Sequence, residues 1–451
     1  MNDTICAIST ALGVGAISIV RVSGKEAISI VSSIFKGKNL NQVESHTIHY
    51  GYIVEKDDLI DEVLVSVMKG PKTFTREDIV EINCHGGIAT TNKVLELLLT
   101  KGCRLALPGE FTKKAFLNGR IDLMEAEAVM DLINGKTEEA RKIALNQIQG
   151  KGSKLISKLR QDLVNIISNI EVNIDYPEYN DIYEVTINDI KEKIVYFEEN
   201  LSKIIKEYDD GRILTDGIKT VIVGRPNVGK SSILNKLLDT NKAIVTDIPG
   251  TTRDIVEGSI SFNGILLNII DTAGIRKTDD LVEKIGVERS LSKINDADLV
   301  LVILNNNEEL TMDDLKILED VKNKPTIVVI NKNDLPNKID ISKLNNKEVV
   351  YTNTIDLEGI DTLKEKITQM FNLDKIKKND YNYITNVRQI AKIKECLNKI
   401  VEVKASLQQE IPLDMIEIDL RSIWNTLGEI IGESYSEELL DELFSKFCVG
   451  K

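Results

Sequence analysis

The spacing of apolar residues changes three times along this 451-residue chain and divides it into four stretches. Up to about residue 118, short β-branched runs mix with helical spacing. Ala16–Val22 and Asp61–Val67 predict strands and Lys93–Leu99 a helix, so this stretch reads as an α+β domain. From 119 to 213 the spacing is helical. Leu123, Ala126, Ala128, Val129, Leu132 and Ile133 recur on one face, and Ile156–Ile174 continues the pattern. The run Asp175-Tyr176-Pro177-Glu178-Tyr179-Asn180-Asp181 breaks it, and Ile187–Tyr208 resumes it. Residues 214–372 alternate strand and helix, as a doubly wound sheet does. Helices then return over Asn386–Leu407, Asp414–Leu427 and Ser436–Phe444. The alternating unit thus interrupts a helical region, which a host tolerates where its own chain ends lie close together.

Chemistry concentrates in the alternating unit. The strand Thr220–Val223 runs into Gly224-Arg225-Pro226-Asn227-Val228-Gly229-Lys230-Ser231, a G-x-x-x-x-G-K-S loop. Its glycines let backbone N–H groups surround phosphate oxygens. Lys230 can reach the β- and γ-phosphates, and the Ser231 hydroxyl can bind Mg²⁺. A helix starting near Ser231 points its positive end at the same anion. Asp271-Thr272-Ala273-Gly274 closes the apolar strand Ile265–Ile270 and can serve the Mg²⁺ shell and the γ-phosphate. Asn331-Lys332-Asn333-Asp334 closes the strand Thr326–Ile330. The Asp334 carboxylate suits the two N–H donors of a guanine edge, which adenine lacks, so GTP is favoured over ATP. Gly250-Thr251-Thr252-Arg253-Asp254 lies between, where a Thr can complete the Mg²⁺ shell and order a switch loop. Each short motif alone could be a strand-end turn; four in register argue for a nucleotide site. The last guanine loop is placed at Thr352-Asn353-Thr354, which departs from the usual Ser-Ala-Lys-like pattern.

Ile275 and Arg276 follow Gly274, where many small GTPases carry a water-orienting Gln. An apolar Ile275 cannot orient water. Glu283 is near enough to do so, though a solvated helix charge is the other reading. Transition-state charge also needs a cation, a contribution of roughly 10³–10⁵ in rate, or about 4–7 kcal/mol. Arg225, Arg253, Arg276 and a bound metal ion are the candidates.

Composition narrows the picture. A hydrophobic content of 42% with 28% charged residues describes a soluble multidomain protein. The net charge of −14 disfavours non-specific attraction to nucleic acid, so an RNA partner needs a local basic patch or an accessory subunit. Cys6, Cys84, Cys103, Cys396 and Cys448 lack CxxC spacing, which fits a reducing cytoplasm and argues against zinc. With three histidines, His46, His49 and His85, a His-rich metal site or a His-based triad is disfavoured. No signal region and no bilayer-length apolar run is present. The last residues, Phe447-Cys448-Val449-Gly450-Lys451, read either as a frayed end or as a reactive thiol whose thiolate Lys451 favours.

The P-loop with Asn227, the Gly250-to-Asp254 switch, the apolar residue after Gly274, the insertion into a helical region and the Cys448-Val449-Gly450-Lys451 end occur together. So do Phe74-Thr75-Arg76-Glu77-Asp78, His85-Gly86-Gly87, Pro108-Gly109-Glu110-Phe111 and Asn118-Gly119-Arg120-Ile121-Asp122-Leu123. Over the whole chain this closely resembles the MnmE (TrmE) family of tRNA modification GTPases, among the TrmE-Era-EngA-like GTPases. The resemblance implies a multidomain fold in three parts. An α+β N-terminal folate-binding-like domain over 1–118 would also drive homodimerisation. An all-α helical domain would cover 119–213 and 373–451. The inserted α/β P-loop GTPase (Ras-like) domain would be 214–372.

The resemblance also implies the site. GTP would be held by Asn227, Val228, Gly229, Lys230, Ser231, Ser232, Thr246, Thr251, Thr252, Asp271, Thr272, Ala273, Gly274, Asn331, Lys332 and Asp334. Mg²⁺ would take Ser231 and Thr252. K⁺ would replace an arginine finger, on Asn227, Thr251 and the carbonyls of Thr246 and Ile248, settling when two G domains meet. Glu283 would orient water, with Arg276 a further catalytic candidate. Arg21, Glu81, Arg120 and Lys451 would hold a 5,10-methylene- or 5-formyl-tetrahydrofolate. The family often has Lys where Arg120 stands, which keeps the charge and changes the donor geometry. Cys448 would be the essential thiol. With the flavoprotein MnmG, in a heterotetramer, such a protein adds a carboxymethylaminomethyl or aminomethyl group to C5 of the wobble uridine of certain tRNAs in the cytoplasm. A ribosome-assembly GTPase of the Der or Era type shares the switch motif but would be expected to carry a basic RNA-binding domain; a dimeric scaffold that merely holds GTP is the third reading.

Overall fold

The computed structural model describes residues 3–175, 180–239, 256–262, 264–270, 294–344, 347–353, 359–373, 376 and 384–451. They form two compact units, one of residues 1–130, 147–198 and 391–451, the other of 131–146 and 199–390. Among the described residues no helix is long and apolar enough to cross a membrane.

In the first unit, strands β1 (Ile5–Ile8), β2 (Ile17–Ser23), β3 (Phe35–Gly37), β4 (Thr47–Glu55), β5 (Asp58–Met68), β6 (Ile79–His85) and β7 (Arg104–Leu105) form one sheet. Its order is β3-β4-β5-β6-β2-β1-β7, antiparallel except between β1 and β7. Period-two alternation sends Val63, Val65 and Val67 of β5 and Val80, Ile82 and Cys84 of β6 into one core. Helices Ala27–Ile34 and Ile88–Thr100 contribute to the same core. On the opposite face Ile17, Ile48, Tyr50 and Leu64 are exposed, while Ile5 and Ala7 of β1 pack against Phe111 of the helix Glu110–Leu117.

The helical part of this unit joins residues from both sides of the interruption. Helix Lys151–Asp175 meets helix Leu413–Ile431, where the Arg160 guanidinium lies 4.3 Å from the Trp424 ring centroid and Arg160 Nε donates to the Trp424 carbonyl at 3.2 Å. Helix Val387–Gln408 adds Lys399 Nζ to Ser422 Oγ at 2.8 Å. Several helices run beyond the sequence expectation, Lys151–Asp175 and Leu413–Ile431 among them. The helix expected at Lys93–Leu99 spans Ile88–Thr100, because Ile88 and the polar first turn carry no apolar stripe. The helix expected to resume at Ile187 starts at Asn180 and runs to Thr215.

The second unit carries β8 (Ile218–Val223), β9 (Val256–Phe262), β10 (Ile265–Ile270), β11 (Leu299–Asn305), β12 (Thr326–Asn331) and β13 (Glu348–Thr352). The order is β13-β12-β11-β8-β10-β9, with only β9 antiparallel. Every residue of β11 and β12 is buried. Leu299, Leu301 and Ile303 enter one core and Val300, Val302 and Leu304 the other, so covering both faces requires an unbroken apolar run. Asp298 fixes the edge of this layer, accepting from Arg212 Nη2 at 2.7 Å and from the Lys219 N–H at 2.9 Å.

One polar cluster inside the first unit is enclosed rather than surface-borne. The side chain of Lys114 is 4% exposed, and its Nζ donates to Glu77 Oε2 at 2.8 Å and to the Asp3 carbonyl at 2.9 Å. Ser23 Oγ donates to the same Glu77 oxygen at 3.1 Å. Removing one member of a buried pair strands the other charge, which costs about 3–5 kcal/mol when burial is complete. Glu77 is partly exposed, so Lys114→Met is expected to destabilise the sheet by ~3 kcal/mol. Amide hydrogen exchange in β2 and β6 measures this; unchanged protection would show that the pair is dispensable.

Candidate functional site

The nucleotide loop lies at the carboxyl ends of parallel strands, where open α/β sheets bind ligands. β8 leads into it and helix Lys230–Asp239 leads out. Gly224 has φ +151°, and a Cβ there would lie 2.4 Å from the Ile303 carbonyl oxygen. Gly229 has φ +101°, and its Cβ would meet Asn331 Nδ2 at 2.1 Å. Only glycine fits either position. Asn227, between them, has φ +63°, a left-handed conformation that Asn tolerates best among non-glycine residues.

The second motif is tied to the first. Asn331, 1% exposed, donates from Nδ2 to the Val228 carbonyl at 3.0 Å. Thr352 Oγ1 donates back to Asn331 Oδ1 at 3.3 Å, and the Asn333 N–H to the Thr352 carbonyl at 3.2 Å. Lys332 Nζ reaches the Asn227 carbonyl at 3.2 Å. Lys230 Nζ folds over the loop to the carbonyls of Gly224 and Arg225, at 2.6 and 3.0 Å. Ser231 is half-buried and Ser232 exposed at the start of the helix, and Asp334 is exposed at the mouth. The residues therefore fit a nucleoside phosphate: a glycine cradle, an ammonium group beside it and a carboxylate at the base position.

Arg225 is a different matter. Its Nε donates to Asp314 at 2.9 Å and its Nη2 to Glu308 at 2.8 Å. Two carboxylates hold it as part of the wall, which removes it from the candidate transition-state cations. Thr246, Ile248, Thr251, Thr252, Arg253, Asp271, Thr272, Ala273, Gly274, Arg276, Glu283 and Thr354 lie outside the described residues.

A second site forms in the first unit. Arg21 and Glu81 face each other across β2 and β6, with Arg21 Nε to Glu81 Oε1 at 2.8 Å. Arg21 Nη1 and Ser9 Oγ both donate to the Gly450 carbonyl, at 3.2 and 3.0 Å. The Gly109 N–H donates to the Cys448 carbonyl at 3.2 Å. Gly109 (φ +68°) has room for no side chain, since a Cβ would lie 2.7 Å from the Phe444 carbonyl oxygen. Gly450 (φ +89°) is equally tight, 2.4 Å from the Ile8 carbonyl oxygen. The last residues are thus docked, not frayed. Cys448 is exposed, whereas Cys6, Cys84, Cys103 and Cys396 are buried. Arg120 stacks over Phe74 at 4.7 Å, and Arg21 over Phe111 at 5.7 Å; Phe74 packs against the core that holds Phe111. Sequence reasoning missed Ser9, whose only signal is its position after β1.

Fold and loop together define a P-loop GTPase with a helical host. Residues 4–120 match the family model described as the GTP-binding protein TrmE N-terminus, and residues 123–448 that described as the MnmE helical domain. The tRNA modification GTPase MnmE of Bacillus cytotoxicus is 52% identical over 455 residues, covering 100% of this chain and 99% of that protein. That of Bacillus subtilis is 51% identical over 458 residues, covering 100% of both. The chain belongs to the MnmE family.

Asn331→Ala would leave the buried Val228 carbonyl unpaired, at ~1–3 kcal/mol. Nucleotide affinity is therefore expected to fall about ten-fold, since ~1.4 kcal/mol is a factor of ten. Titration with a fluorescent GDP analogue tests it; full affinity would mean that the loop holds its shape without β12.

Proposed function

We propose that this chain is a potassium-dependent GTPase that acts with the flavoprotein MnmG on tRNA. Together they add a carboxymethylaminomethyl or aminomethyl group to C5 of the wobble uridine, in the cytoplasm. The observation that carries this reading is the docked Cys448: the one exposed cysteine is presented by three hydrogen bonds to its neighbouring backbone, beside the Arg21–Glu81 pair. A surface thiol without a role would need no such anchoring.

In the nucleotide site, Gly224 and Gly229 allow the backbone to wrap phosphates, Lys230 balances their charge, and Ser231 with Thr252 would hold Mg²⁺. Asp334 selects guanine. Asn227, with Thr251 and the carbonyls of Thr246 and Ile248, would hold K⁺, and the engagement of Arg225 by Asp314 and Glu308 supports a metal cation over that arginine. Glu283 would orient the attacking water, with Arg276 nearby in sequence. When bound, the two ions supply positive charge to the transition state. In the other site, Arg21, Glu81, Arg120 and Lys451 would hold a tetrahydrofolate, which supplies the one-carbon unit. The carboxylate of Glu81 suits the N–H donors of a pterin and the cations suit its carboxylates. The exposed apolar face bearing Ile17, Ile48, Tyr50 and Leu64 supports homodimerisation through the N-terminal sheet, and a heterotetramer with MnmG extends that dimer. Domain limits of 1–118, 119–213 with 373–451, and 214–372 accompany this proposal.

GTP turnover is expected to rise many-fold in potassium relative to sodium at matched ionic strength, and more steeply at higher protein concentration. Equal rates would transfer the charge to an arginine and reopen the ribosome-assembly reading. Cys448→Ser should leave GTP turnover intact and abolish tRNA modification. Modification by that variant, assayed by nucleoside mass spectrometry, would remove the thiol from the mechanism.

A further inference from the structure

The proposed function leaves a problem of charge: a chain of net charge −14 must hold an RNA. One place in the first unit answers it. A cavity of about 470 Å³ beside β5 is lined by Lys72, Arg76, Arg120 and His46, with Phe74 in its wall and no Asp or Glu among its lining residues. Lys72 and Arg76 are exposed on the segment that leads into β6. Arg76 spends one donor, Nη1, on the Asn118 carbonyl at 2.9 Å, and has φ +61°. The Arg120 guanidinium lies over the Phe74 ring. Glu125 feels the Arg120 charge but stands outside the wall. Among the described residues, Lys72, Arg76 and Arg120 take part in no ion pair, whereas Arg21, Arg104 and Lys114 nearby are all paired.

We infer that this cavity is a phosphate-binding site for the RNA substrate, with Lys72 and Arg76 as its principal cations. The inference rests on the proposed function. A folate with a single glutamate carries two carboxylates, for which Arg120 and Lys451 supply two cations, Arg21 being paired with Glu81. Lys72 and Arg76 are surplus to that cofactor and call for a second anion. The forked guanidinium of Arg76 retains Nη2 and Nε for phosphate oxygens, and Lys72 adds a mobile point charge. Neither reads a base, so the site would set the position of the RNA rather than select its sequence.

The test uses the full chain with its flavoprotein partner present and a tRNA transcript as probe, titrated over a range of salt. Lys72→Ala, which removes no internal hydrogen bond, should weaken tRNA binding several-fold and lower the salt slope by about 1. The double variant Lys72→Glu, Arg76→Glu should weaken it more than ten-fold. Both should bind 5-formyl-tetrahydrofolate as the parent does. Unchanged tRNA affinity and slope would overturn the site. A loss confined to 5-formyl-tetrahydrofolate would also overturn it, giving the cavity to cofactor carboxylates. Potassium-stimulated GTP turnover, read on the same samples, reports separately on the proposed function: its absence from the parent protein would fault that reading and not the cavity.

Discussion

The closure of the first unit turns on the docking of the last residues, backbone against backbone. The final turn of the chain crosses Gly109 and Gly450 lies against Ile8, each with no space for a Cβ. That contact fastens the last residues to the first sheet. Phe444 and Phe447 then pack with Phe116, Leu123 and Leu440 into a small core. Once both ends of the helical layer are tied together, the chain between them is free to be long. An inserted unit is tolerated where the host's own chain ends lie close together.

The nucleotide unit solves a different problem. Its loop must keep N–H groups pointed inward and still carry backbone conformations that unfold readily. Asn331 answers this by holding Val228 from the end of β12, with Thr352 of β13 holding Asn331 in turn. The ends of β12 and β13 are thereby joined to the loop by buried side-chain hydrogen bonds, and preorganisation of the loop draws on tertiary contacts as well as on its own sequence. The same linkage holds the Asn331–Asp334 segment in fixed register with the loop.

Much of this was legible in the sequence, for physical reasons. The buried parallel strands read as continuous apolar runs because both faces are covered. The Gly224 and Gly229 positions stand out because no other residue can take them. The Arg21–Glu81 pairing, in contrast, depends on a register between strands separated by 60 positions, which no local pattern encodes. Ser9 and the fate of Arg225 were hidden for the same reason: each is defined by a partner, Gly450 or Asp314, far away along the chain. The docking of the last residues runs against the general tendency of chain ends to fray. The sequence sign of it was the pair of glycines, whose meaning appears only with the backbone beside them.

Charge distribution joins the two levels. A strongly acidic protein pays a repulsive cost at every approach of nucleic acid, screened beyond about 8 Å at physiological salt. Short-range cation clusters can act inside that screening length even when the net field opposes them. Three cations of the N-terminal region are spent on carboxylates: Arg21 on Glu81, Arg104 on Glu110, Lys114 on Glu77. Cations left without such partners around one cavity are costly in mutual repulsion, and a structure keeps them together most readily where an anion completes the set.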